Sequence, residues 1–210
     1  MQTIAVDTPR GPAEVELADP AGTPYSLLVL GHGAGGGVHA PDLTRVRDEA
    51  LARGVRVALV TQPYRVAGRR TPAPAAQLDE AWIAVVRSIG PDAASGVPLI
   101  LGGRSSGARV ACRTAAELGA AGVLALAFPL HPPGRPDRSR ADELPTGIPT
   151  LVVNGDRDPF GVPEPAGAVE VTVRPGAGHD LRKGLPATAG EAVGWLARHG
   201  WAESVRGPAV

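Results

Sequence analysis

The stretch Val97-Pro98-Leu99-Ile100-Leu101-Gly102-Gly103-Arg104-Ser105-Ser106-Gly107-Ala108-Arg109 decides the fold. Val97–Leu101 is a short apolar run that reads as a buried strand. The Ala-rich segment from Ser106 to Leu118 reads as a helix. Ser105 therefore stands at a strand–turn–helix junction with glycine two residues before it and two after. The bare G-x-S-x-G spacing says little, because so glycine-rich a chain yields roughly 0.1 matches by chance. Its setting says more. A serine on a strained turn between strand and helix is a nucleophile elbow, whose flanking positions must let backbones approach closely, as glycine does without a Cβ.

Working outward, the same alternation recurs. Near-continuous apolar runs at Ser26–Leu30, Val55–Val60, Val123–Phe128, Thr150–Val153 and Val169–Val173 read, with Val97–Leu101, as strands buried on both faces. Between them, Asp42–Arg53, Ser106–Leu118 and Thr188–His199 read as helices, and Leu78, Trp82, Val85, Val86 and Ile89 mark one helix face. Residues 3–7 and 13–18 alternate apolar and polar side chains, as half-exposed antiparallel strands do. Strand–helix alternation after an antiparallel entry predicts one mixed α/β domain over residues 1–210, its parallel sheet covered on both faces. The segment His131–Ile148, with four prolines, shows no helical face and is expected to be a surface loop with one helical turn near Arg140–Leu144.

Composition narrows the function. The chain has 210 residues, 28 Gly, 22 Pro, only seven aromatic side chains, and 21 basic against 21 acidic groups. Zero net charge removes the basic footprint of a nucleic-acid binder, and no apolar run approaches the ~20 residues that span a bilayer. The single Cys112 excludes an internal disulfide and suits a reducing compartment. The start has neither the basic nor the apolar region of a signal peptide. A soluble cytoplasmic protein without nucleic-acid or membrane partners is the expectation.

A serine needs a base and a group to orient that base. Thr150–Val153 runs into Asn154-Gly155-Asp156-Arg157-Asp158, and Val169–Val173 runs into a loop bearing His179. Acid and histidine thus lie past the carboxyl ends of successive strands, in the order Ser105, Asp158, His179 of α/β-hydrolases. Asp156 competes with Asp158. It falls within the turn, where it can bond its own backbone, whereas Asp158 stands beyond the turn and is favoured. Gly31-His32-Gly33-Ala34-Gly35-Gly36-Gly37 follows the first buried run, where an oxyanion loop belongs. Backbone N–H groups near Ala34 and at Ser106 are the candidate oxyanion hole.

Competing readings are weaker. Gly31, Gly33 and Gly36 satisfy G-x-G-x-x-G, but Val38-His39-Ala40-Pro41 delays the helix that would hold a pyrophosphate, and the next strand ends in Thr61-Gln62-Pro63 with no acid for a ribose. His39 and His131 lack metal-ligand spacing, so no metal and no cofactor are expected. Cys112 reads as a packed side chain behind the elbow, and His32 as a residue that fixes the glycine loop. Arg65, Arg69, Arg70, Arg104, Arg135, Arg138 and Arg140 surround the expected pocket; they read as a solvated rim or as selectors of an anionic substrate.

The segments LGHGAGGG (30–37), GGRSSGAR (102–109), FPLHPPGRP (128–136), NGDRDPFG (154–161) and GAGHDL (176–181) together resemble a compact α/β-hydrolase family. The likeness is to dienelactone-hydrolase-like proteins, and more closely to small hydrolases related to the hydrolase-like domain of an NSL chromatin-complex subunit. It covers residues 25–200 and implies a mostly parallel eight-stranded sheet with helices on both faces and a minimal lid. It also implies that nucleophile, acid and base map onto Ser105, Asp158 and His179. Ser106 departs from the bulky residue many relatives carry after the nucleophile, which alters the pocket floor. The expected activity is hydrolysis of a carboxylic ester-type bond in a small substrate. Some members of the family act as scaffolds, so a non-catalytic interaction protein is the contrasting expectation.

Overall fold

The computed structural model describes residues 1–94 and 96–204. Eight strands form one sheet: β1 (Gln2–Thr8), β2 (Gly11–Ala18), β3 (Ser26–Gly31), β4 (Val55–Thr61), β5 (Leu99–Arg104), β6 (Gly122–Leu126), β7 (Thr150–Gly155) and β8 (Val169–Arg174). Their order across the sheet is β1-β2-β4-β3-β5-β6-β7-β8. β1 and β2 form an antiparallel hairpin, β2 pairs antiparallel with β4, and all later pairs are parallel. Every parallel strand therefore ends at the same edge of the sheet, which is where the candidate side chains gather.

Because side chains alternate along each strand, the sheet divides its apolar residues between two layers. Leu27, Val29, Ala58, Val60, Leu101 and Val152 face α3 (Ala75–Ala94) and α4 (Ser106–Thr114), with Trp82 and Phe128 filling that layer. Leu28, Leu30, Val57, Leu59, Ile100 and Val153 face α1 (Pro41–Ala52) and α5 (Leu185–Arg198) around Trp195. A short helical turn, α2 (Pro63–Val66), follows β4 at once because Pro63 suits the first turn of a helix.

Several boundaries differ from the sequence reading; α5, for one, begins at Leu185 rather than Thr188. β5 starts at Leu99, since Pro98 has no N–H to donate, and runs on through Gly102 and Gly103 to Arg104, pairing Arg104 with Leu126. These glycines are strand residues pressed against a neighbour: a Cβ on Gly102 would stand 2.7 Å from the Leu124 carbonyl oxygen. β6 stops at Leu126 because Ala127 turns left-handed (φ 47°). α4 ends at Thr114, and turns carry the chain to Gly119.

β8 departs from the expectation of burial on both faces. It is the edge strand, only Val169 of its six residues is buried, and Val173 is 46% exposed. Residues 131–148 form the expected loop, with one 3-10 turn at Ala141–Glu143. Glu143 fastens that turn to α4, accepting from Arg109 Nε at 2.7 Å and from Arg113 Nη1 at 2.9 Å. The loop is short and tied down to the helix layer, so the lid region is reduced.

Candidate active site

Ser105 follows the last residue of β5 and precedes α4, with φ 53° and ψ −111°. A non-glycine residue holds such angles only where its surroundings over-determine them. Here its N–H donates to Leu126 O (2.9 Å) and its carbonyl accepts from Arg109 N (3.2 Å). The tight crossing explains the two flanking glycines. A Cβ on Gly103 would lie 2.6 Å from Gly31 O, and one on Gly107 would collide with the Gly31 carbonyl. The elbow can form only if the end of β3 and the start of α4 touch backbone to backbone.

Asp158 and His179 reach this serine from the loops after β7 and β8. His179 Nε2 lies 2.9 Å from Ser105 Oγ, and His179 Nδ1 lies 2.8 Å from Asp158 Oδ2. The Asp158 side chain is fully buried, and its other oxygen accepts the Phe160 N–H at 2.9 Å. An acceptor-only carboxylate at Nδ1 holds the proton there and leaves Nε2 free to accept the serine proton. Asp156 does not bond its own turn as expected; it accepts the Gly176 N–H at 2.6 Å, tying the β7 turn to the β8 turn.

The glycine loop is braced by two residues of the β4–α2 segment. His32 is buried. Its Nδ1–H donates to Gly33 O (2.9 Å), and its Nε2 accepts from Gln62 N–H (3.1 Å). Those partners require the neutral ring, and burial pulls its pKa below the ordinary 6.5, with the Arg65 charge acting the same way and the Gly33 bond opposing it. Gly33 C=O and Ala34 N–H belong to one trans peptide plane and point oppositely. Holding the carbonyl therefore aims the N–H. Tyr64 Oη–H donates to Ala34 O at 2.8 Å, and burial pushes its phenol up to about 12. Ser106 is the first residue of α4, so its N–H has no intrahelical partner. Neither the Ala34 nor the Ser106 N–H is engaged among the described residues.

The sequence reading passed over several residues. Asn154 uses its whole amide: Nδ2 donates to Phe128 O and Gly161 O (both 2.9 Å), and Oδ1 accepts Phe128 N–H at 2.8 Å. That staples the Asp158 loop to the end of β6. The Phe160 ring packs on the His179 imidazole with centroids 4.2 Å apart. Tyr64 carried a faint signal, being one of only two tyrosines. The arginines form less of an open rim than expected. Arg104 is largely covered and paired with Asp42, Arg140 donates to Pro129 O, and Arg135 pairs with Asp137.

A parallel sheet ending in a strained serine, a histidine and a buried carboxylate defines the α/β-hydrolase class. Residues 24–184 match the family described as alpha/beta hydrolase domain, and the chain belongs to that family. Among solved structures, it is similar to an α/β serine hydrolase without lid from Xanthomonas campestris: TM-score 0.75, 19% identity, covering 98% of this chain and 96% of that one. It is also similar to Est1E from Butyrivibrio proteoclasticus (TM-score 0.76, 14% identity, 94% and 98% covered). A dienelactone hydrolase from Anabaena variabilis compares at TM-score 0.74 and 20% identity, with 94% and 96% covered. No curated protein matches. Among the described residues, no helix is long and apolar enough to cross a membrane.

Proposed function

We propose that this protein is a serine hydrolase that cleaves a carboxylic ester-type bond in a small substrate. The observation that carries the reading is the continuous chain Asp158–His179–Ser105, with links of 2.8 and 2.9 Å. In this mechanism His179 Nε2 takes the proton of Ser105 as Oγ attacks the substrate carbonyl. Asp158 holds the imidazole and stabilises its cationic form. The N–H groups of Ala34 and Ser106 receive the charge on the carbonyl oxygen, a contribution that typically costs ~10²–10³ in rate per donor lost. His179 then protonates the leaving alcohol, and water, deprotonated by His179, releases the acyl group and restores Ser105.

The short loop at 131–148, fastened to α4, stands where a lid would, which favours small or extended substrates over lipid droplets. The reading carries with it a single domain over residues 1–210, a cytoplasmic location, no cofactor, and kinship with the small hydrolases related to the NSL-subunit domain. Fluorophosphonate labelling of wild type and Ser105→Ala tests it, followed by a panel of short-chain p-nitrophenyl esters. Labelling that depends on Ser105 is the expected result. A folded wild type that is not labelled would leave the interaction-scaffold alternative in its place.

A further inference from the structure

Arg104 stands immediately before Ser105, yet its side chain turns under the site and is only 17% exposed. All three of its nitrogens meet a part of the site. Nε lies 2.8 Å from Asp42 Oδ2. Nη2 donates to the main-chain carbonyl of His179 at 3.0 Å. Nη1 rests against Gly33, 2.9 Å from where a Cβ would project, so a side chain at 33 would displace the guanidinium. One planar group, carried by the residue before the nucleophile, thus touches the loop that carries Ala34, the loop that carries His179, and the first turn of α1.

We propose that Arg104 is a positioning residue that sets His179 and the Ala34 loop in register with Ser105, with Asp42 holding the guanidinium in place. The inference rests on the reading of Ser105 as nucleophile. His179 lies in an irregular loop, and the Arg104 bond is the one hydrogen bond its main chain makes among the described residues. The ring hydrogen bonds to Asp158 and Ser105 fix the imidazole only if the backbone beneath it stays in place. Asp42 is suited to the anchoring role: its side chain is fully buried, its Oδ1 accepts the Leu43 N–H at 3.0 Å, and it lies in the first turn of a helix, where a carboxylate is favoured. Burial holds the Asp42 carboxyl above its ordinary value, with the Arg104 charge opposing it. A lysine would keep the charge but not the planar fork that meets a carboxylate and a carbonyl at once.

The test is the second-order rate at which a fluorophosphonate labels Ser105, which needs no knowledge of the substrate. Misplacing catalytic groups by about 1 Å costs ~10²-fold, so Arg104→Ala is expected to label about 10²-fold more slowly while keeping the wild-type circular dichroism spectrum. Millimolar guanidinium, but not the same concentration of ammonium, is expected to restore at least about tenfold, because only the planar ion fits the vacated fork. Arg104→Lys is expected to fall between. Slower labelling without guanidinium rescue, or labelling of Arg104→Ala at the wild-type rate, would overturn the inference. Should Arg104→Ala not fold, Arg104→Gln takes its place, and wild-type labelling of that variant overturns the inference equally. A wild type that resists labelling overturns the nucleophile reading itself, which separates the two failures.

Discussion

Replacing His32 by phenylalanine keeps a ring in the same space and removes both of its hydrogen bonds. Gly33 O retains a partner in Gly36 N–H at 3.1 Å, but the buried Gln62 N–H loses its acceptor. An orphaned buried donor costs about 1–3 kcal/mol and the other bond about 1 kcal/mol, so His32→Phe is expected to be about 2–4 kcal/mol less stable at pH 8. The pH dependence makes the reasoning sharper. The folded state holds the His32 pKa below its ordinary 6.5, so the unfolded chain binds a proton that the folded chain refuses. This contribution to stability is full above the unfolded value and is lost as pH falls through it, by up to about 1.4 kcal/mol for each pH unit below 6.5. His32→Phe has no such group. Urea unfolding of both proteins, followed by tryptophan fluorescence at pH 8 and pH 5.5, should show the stability gap narrowing at the lower pH, by no more than about 1.4 kcal/mol. A gap that stays constant or widens would refute the assignment of a neutral ring accepting from Gln62. The variant should also label at Ser105 about 10- to 10²-fold more slowly at pH 8, because the Ala34 N–H is aimed less firmly with one of the bonds on Gly33 O gone.

Four further outcomes follow from the same geometry. Ser105→Gly should abolish labelling while raising stability by about 1–2 kcal/mol, since glycine relieves the φ 53°, ψ −111° strain; urea unfolding measures this. Asp158→Asn should lower the labelling rate by about 10³–10⁴-fold through the wrong imidazole tautomer. Asp156→Asn, whose target is a turn N–H, should stay within about threefold of wild type. Cys112, whose thiol burial pushes up to about 12, should resist iodoacetamide at pH 8 in the folded protein and react on unfolding.

Most of the architecture is legible in the sequence, because it rests on periodicity. Runs such as Leu27–Leu30 and Val57–Val60 are apolar at every position, and only a strand covered on both faces demands that. β8 misled for a related reason: Val169, Val171 and Val173 look like a buried strand, but whether a strand lies inside the sheet or at its edge depends on what pairs beside it. The turn glycines 102 and 103 misled in the opposite sense. Glycine signals a break locally, whereas here it is demanded by a neighbouring strand more than twenty residues away.

By itself the sequence determined the class of fold and the order of a serine, an aspartate and a histidine past successive strand ends. Those follow from local chemistry: strand ends, turn residues and the spacing between them. What only the tertiary structure decided is how the loops are held to one another. His32 on Gly33 and Gln62, Tyr64 on Ala34, Asn154 on Phe128 and Gly161, and Arg104 between Asp42 and His179 are contacts whose partners no motif names, although three of these side chains stand inside the quoted segments. Their partners mostly lie far away in sequence and come close because parallel strands end at one edge of the sheet. A hydrogen bond formed there is set by convergence in space, and no pattern along the chain records it.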